Sequence, residues 1–274
     1  MSPNPLKNIN GEDNTMISAP GDAAADIDPT APNNLPGLNY GCTVSRDERS
    51  RLVKHFSFLE LQDLFFQHIQ SKTLGRWREQ SNRVQQNDSI EYSVVAPMTI
   101  THPISDPLQA RCQYKRDVAR DGGHFVISDD SLRAIDNIFE AAQRLAARWV
   151  VFKTPTSFRP TQQNRDRFRT FFEKTDQPEQ LQFVWQPSGL WTPELSHALA
   201  AHSKILCSMP DWTQIPVNKF LYINIETIAF PERELINYLP KIPENTTTRI
   251  VFSGKNKVRQ ARKFALVQDL LGDL

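Results

Sequence analysis

The sequence predicts a (β/α)8 TIM-type barrel behind a disordered N-terminal tail, on three observations. Eight short apolar runs of strand length recur from Leu38 onward, and amphipathic helical segments lie between several of them. The stretch they occupy, residues 38 to 274, is close to the ~250 residues usual for such a barrel. A doubly wound open sheet is the competing architecture, because two of the connections are irregular.

The tail comes first. Residues 1 to 37 hold six prolines, three glycines and no Phe, Tyr or Trp, so they bring too little apolar surface to offset the entropy of ordering. The expected strands then follow in order: LNYGCTV (38 to 44), FLELQ (58 to 62), IEYSVV (90 to 95), WVVFK (149 to 153), LQFVW (181 to 185), KILCS (204 to 208), FLYINI (220 to 225) and RIVFS (249 to 253). After an Asp129-Asp130 start, the segment 131 to 148 places Leu132, Ile135, Ile138, Phe139, Ala142, Leu145 and Ala146 on one helical face. Thr192-Pro193-Glu194 supplies an N-cap, a proline at the first helical position and an acid in the first turn, with Leu195, Ala198 and Leu199 expected inward. Pro231 opens a helix carrying Leu235 and Leu239, and Val258, Ala261, Phe264 and Ala265 mark the last one.

Composition narrows the partners. The 32 Lys plus Arg against 31 Asp plus Glu leave a net charge of +1, which gives no overall field for nucleic acid or an acidic membrane. Cys42, Cys112 and Cys207 are widely spaced, without a CxxC pair or companion histidines, so no metal site is expected and reduced cytoplasmic thiols fit best. No apolar stretch approaches the ~18 residues of a membrane span. The N-terminus lacks the apolar core of a signal peptide, and residues 1 to 37 lack the arginines of a mitochondrial leader. Neither a cofactor nor the oligomeric state is legible in the sequence.

Several stretches resemble one family. FLELQDLFF (58 to 66) is similar to a second-strand pattern of Glu, a spaced Asn and Phe-Tyr, here Glu60, Gln62 and Phe65-Phe66. A helical Trp77 follows, then YSVVAPMTITH (92 to 102), which resembles a strand ending in Lys before Thr-His; Thr101 and His102 match, and Val95 stands at the Lys position. VVFKTPTSF keeps Pro155 and Phe158 but has Lys153 where Gln is the pattern. FVWQPSGLW (183 to 191) keeps Trp191, while Gln186 and Ser188 replace a Glu and an Arg. YINIET carries Asn224 and Glu226 at polar positions, and Ser253 and Gly254 stand where the eighth strand has asparagines. The chain thus resembles a divergent member of the YecE-like family, domain of unknown function 72, over residues 38 to 271. The resemblance implies a TIM-type barrel with an altered or degenerate polar site, and no established activity comes with it.

In a barrel, chemistry belongs at the C-terminal ends of the strands. Alternation sends Glu60 and Gln62 to the face opposite Leu59 and Leu61; if that face is interior, Glu60 needs a partner, and Lys153 is the candidate. A structural ion pair satisfies the same pattern. His102, just beyond the third strand, is placed to serve with Glu60 as an acid-base pair of a hydrolase, or to be an ordinary hydrogen-bonding loop residue. Cys42 and Cys207 end strands as small core thiols do. Glu226 and Asp211 suit solvated or capping positions as well as a site. The connection 103 to 130, with Arg111, Lys115, Arg116, Arg120 and Gly122-Gly123, is long enough for a lid or binding loop.

The ligand expectation is a small polar or anionic molecule at the mouth, lined by Gln62, Gln186, Ser188, Trp191, Asn224 and Glu226. Ser253, Gly254 and Lys255 form a phosphate-binding turn before the last helix, unless the Lys and Arg residues there are only its solvated face. A non-catalytic interaction module is the third reading.

Overall fold

The computed structural model describes residues 37–84, 90–114, 122–208, 219–226 and 229–272. The expected tail up to residue 36, Lys115, Arg116, Arg120 and Asp211 therefore lie outside the described residues. Within them stand β1 (Leu38–Val44), β2 (Phe58–Leu61), β3 (Glu91–Val95), β4 (Trp149–Lys153), β5 (Gln182–Gln186), β6 (Leu206–Cys207), β7 (Phe220–Ile225) and β8 (Thr247–Phe252). All the ladders are parallel, in the order β6-β5-β4-β3-β2-β1-β8-β7. The sheet curls until β6 and β7 come alongside each other, so the fold is the expected (β/α)8 TIM-type barrel.

The helices are α1 (Arg46–Leu52), α2 (Asp63–Phe66), α3 (Ser71–Val84), α4 (Met98–Thr101), α5 (Asp129–Leu145), α6 (Gln162–Lys174), α7 (Pro193–His202), α8 (Glu232–Tyr238) and α9 (Lys257–Gly272). Thr192 caps α7 through its side chain as expected, and Ser128 rather than an aspartate caps α5. Two helical faces are rotated from their expected positions. Leu132 and Leu195 are each 42% exposed and Ala198 is exposed, because α5 buries Ala134, Ile135, Ile138, Ala141, Ala142 and Leu145, and α7 buries Ser196, Leu199 and Ala200. Spacing fixes the width of an apolar stripe; the neighbour that it meets fixes its centre. None of the described helices is long and apolar enough to cross a membrane.

Strand alternation divides the core in two. Leu59, Leu61, Phe183, Trp185, Ile223 and Ile225 face the helices, within one large apolar cluster. Phe58, Trp149, Val151, Val184, Tyr222 and Val251 fill the barrel interior, with Leu206 and Phe220 packed against them. At the N-terminal end, the interior is closed by Glu91, Arg249 and Trp149. Arg249 Nε donates to Glu91 Oε2 (2.7 Å), Arg249 Nη1 donates to the carbonyls of Gly37 (2.7 Å) and Thr248 (2.8 Å), and the Trp149 indole N–H donates to Glu91 Oε1.

Candidate functional site

The inward alternation of β2 continues from Phe58 to Glu60, which places a carboxylate on the barrel axis above the apolar plug. Glu60 is fully buried, so its charge requires direct compensation. Lys153 Nζ donates to Oε1 (2.7 Å), and the Tyr222 hydroxyl donates to Oε2 (2.7 Å). Ser93 Oγ lies 2.8 Å from the Tyr222 oxygen. Because the phenolic proton points to Glu60, Ser93 donates to Tyr222. Burial first, and then the Glu60 charge, hold the Tyr222 hydroxyl well above its ordinary value of 10.0, so it stays a neutral donor. The Lys153 side chain is 20% exposed, so Lys153 is the more accessible partner of the Glu60 ion pair.

Around Lys153, the inward positions at the tops of β5 to β8 are polar. Gln186 is in register with Lys153 on the adjacent strand, and its Oε1 is buried with no hydrogen-bond partner. Ser208 extends β6 by one rung, its N–H donating to the Trp185 carbonyl (2.7 Å), and its buried hydroxyl is also without a partner. Asn224 on β7 accepts from Ser253 Oγ (2.9 Å) at Oδ1, leaving buried Nδ2 unpartnered.

The other expected residues occupy different surroundings. His102 is buried at the end of α4; its Nδ1 bonds Thr101 Oγ1 (2.8 Å) and its ring meets Phe65 edge-on at 5.0 Å, whereas the hydrogen bonds of Glu60 go to Lys153 and Tyr222. The chain at Gly123, φ +92°, runs so close to the His102 carbonyl that a Cβ would lie 2.4 Å from it. His124 and Phe125 then bond back to Thr101 and Ile100, so the end of the long connection is pinned over α4. Arg111, from the same connection, lies over the Phe66 ring at 4.0 Å.

The Gln-Pro-Ser-Gly break has a divided role. Gln186 belongs to the mouth, whereas Ser188 donates to the Thr154 carbonyl (2.6 Å) and Trp191 donates to the Phe158 carbonyl (2.6 Å) while stacking on that ring. Those contacts lock the β5–α7 turn against the loop after β4 and give both residues a structural role. Gln62 is half-buried at the N-cap of α2. Gly254 has φ +81° and is exposed with Lys255, but the Glu226 side chain lies beside it and Lys257 is already paired with Glu48 at 2.8 Å. Burial pushes the Cys42 thiol up to about 12, which removes it as a nucleophile. Among the described residues, no group of three or more His, Cys, Asp or Glu is placed to hold a metal.

Sequence reasoning passed over Ser208 and the hydrogen-bonding role of Tyr222. Alternation within FLYINI puts Tyr222 and Asn224 on one face, so that signal was present; Ser208 needs the rung that links it to β5.

No family model matches the sequence, and no curated protein matches it. Solved structures do. A DUF72 family protein from Enterococcus faecalis superposes with a TM-score of 0.55 at 10% identity, over 86% of this chain and 96% of that one. The chain shares the barrel fold of that protein. SacUVDE superposes at 0.54 with 10% identity over 86% and 99% of the two chains, and endonuclease IV from Thermus thermophilus at 0.50 with 9% identity over 86% and 100%. At these identities the likeness is one of fold, and the shared barrel fold here serves as a frame for a polar mouth of its own composition.

Proposed function

We propose that the protein is a divergent YecE-like barrel that binds a small polar or anionic ligand at its C-terminal mouth. One observation carries the reading: a fully buried carboxylate is held on the barrel axis by a tyrosine and by a lysine whose side chain is partly exposed at the C-terminal end. A purely structural charge pair is costly to bury and is matched or bettered by apolar packing. Placed at the functional end of the barrel, the pair has a use: it presents an oriented ammonium to ligand oxygens. Lys153 is the central ligand contact, with Gln186 and Asn224 beside it and Gly254-Lys255 at the rim. The three free thiols support a cytoplasmic location.

A hydrolase built on Glu60 and His102 has less support, since both Glu60 oxygens are engaged and His102 is turned to Thr101 and Phe65. Amide chemical-shift mapping with inorganic phosphate, glucose 6-phosphate and D-glucose tests the binding reading. Shifts should concentrate at the C-terminal ends of β4, β5 and β7 and vanish in Lys153→Met. Shifts confined to the outer surface of the barrel, or none at millimolar ligand, would refute it.

A further inference from the structure

The wall from β5 to β7 narrows the ligand further, granted the mouth-binding reading above. We infer that this wall is a subsite for a neutral, hydroxyl-rich ligand, a monosaccharide or polyol. Gln186, Ser208 and Asn224 lie at the top inward positions of three consecutive strands, because Val184, Leu206 and Tyr222, two residues earlier on each, all face the barrel interior. Each has one buried polar atom without a partner: Gln186 Oε1, Ser208 Oγ and Asn224 Nδ2. Ser208 is 2% exposed and Asn224 4%, so leaving these groups unpaired has a real cost. Three at the top inward positions of adjacent strands mark where a ligand completes the hydrogen bonding.

The chemistry of the three atoms selects the class. One accepts, one donates, and the hydroxyl between them does either. A ligand hydroxyl likewise both donates and accepts, so neighbouring hydroxyls of a sugar can pair with the whole row. Charge points the same way: Glu60 already neutralises Lys153, so the floor holds no spare positive charge to hold an anion. The described inward positions at this level of β4 to β8 are Lys153, Gln186, Ser208, Asn224 and Ser253; none carries a ring on which a nucleobase would stack.

The test compares D-glucose, D-ribose and D-sorbitol with inorganic phosphate, each titrated into the full-length protein and into the double variant Gln186→Leu, Ser208→Ala. Both changes remove atoms that are unpaired in the free protein, so the variant should fold at least as stably as wild type. At least one neutral probe should bind wild type and lose roughly tenfold or more in affinity in the variant, as two lost hydrogen bonds predict, with any phosphate response unchanged. Equal polyol binding to both proteins would overturn the subsite. Phosphate binding at the mouth without any polyol binding would overturn the ligand class while sparing the mouth reading. Silence from every probe would overturn both.

Discussion

The two ends of the barrel interior each hold an inward carboxylate met by a cation and an aromatic hydrogen-bond donor, but they end differently. At the N-terminal end, both Glu91 oxygens are used and Arg249 spends its donors on Glu91 and two backbone carbonyls, with Trp149 beneath the guanidinium. At the C-terminal end, Glu60 is equally satisfied, yet the polar ring above it leaves Gln186, Ser208 and Asn224 incomplete. The arginine fork closes one end with fixed geometry; the lysine at the other is a single point donor whose side chain is partly exposed. The difference separates a charge cluster that seals from one that offers itself to a ligand, and it follows the rule that the bottom of such barrels serves stability and the top serves function.

The comparison breaks first at Arg249. Arg249→Met leaves half-buried Glu91 with no cation, and stability should fall by about 3–5 kcal/mol, a drop of roughly 10 °C in melting temperature. Ligand response at the mouth, measured below that temperature, should be unchanged. If the variant melts with wild type, the N-terminal cluster is not the seal. Lys153→Met should cost a similar ~3–5 kcal/mol, because it leaves the fully buried Glu60 carboxylate with the Tyr222 hydroxyl but no cation. It should also abolish the chemical shifts that small ligands produce. A stability loss with intact ligand response would make the C-terminal cluster a second seal and erase the contrast.

How far this contrast was legible in the sequence depended on how local each feature was. The strand runs and the inward face of Glu60 follow from alternation within a few residues, and Lys153 was named as its partner because it ends a strand at the same level. Glu91 and Arg249 are 158 residues apart and meet only through strand order β3-β2-β1-β8. Ser208 sits beyond a strand of two residues, and only the Trp185 rung fixes its direction. His102 is expected near Glu60 from its place after β3; what its position does not reveal is that it ends the turn of α4, bonded to Thr101 and edge-on to Phe65, with the chain at Gly123 packed against its carbonyl.

Tyr222 sharpens the comparison through pH. Tyr222→Phe removes a hydrogen bond to a charged carboxylate and should cost about 1–2 kcal/mol at neutral pH. The folded protein holds this hydroxyl well above 10.0, where the unfolded chain titrates. A raised acid binds its proton more tightly when folded, so its contribution is complete below pH 10.0 and is lost as pH rises beyond that value. Urea denaturation from about pH 8 to about pH 11 should therefore show a difference between wild type and Tyr222→Phe that shrinks at the alkaline end. A constant difference would show that Tyr222 acts through packing alone.

The smallest effect is the most diagnostic. Ser208 is nearly as buried as Glu60, and replacing a buried polar side chain usually destabilises because a partner is left behind. Here there is no partner to leave, and the serine hydroxyl itself bears the desolvation cost in the free protein. Ser208→Ala should therefore leave the free protein unchanged or more stable by up to ~1 kcal/mol. Ser93→Ala is the control: its hydroxyl bonds Tyr222 and is equally buried, so the same deletion there should cost about 1 kcal/mol. Guanidinium denaturation of the two variants side by side decides the matter. Equal losses would mean that the Ser208 hydroxyl is already satisfied in solution and that the row on β5 to β7 is complete without a ligand. Opposite signs would show that the row on β5 to β7 keeps a buried hydroxyl unpaired in the free protein, a cost that makes sense where something else binds.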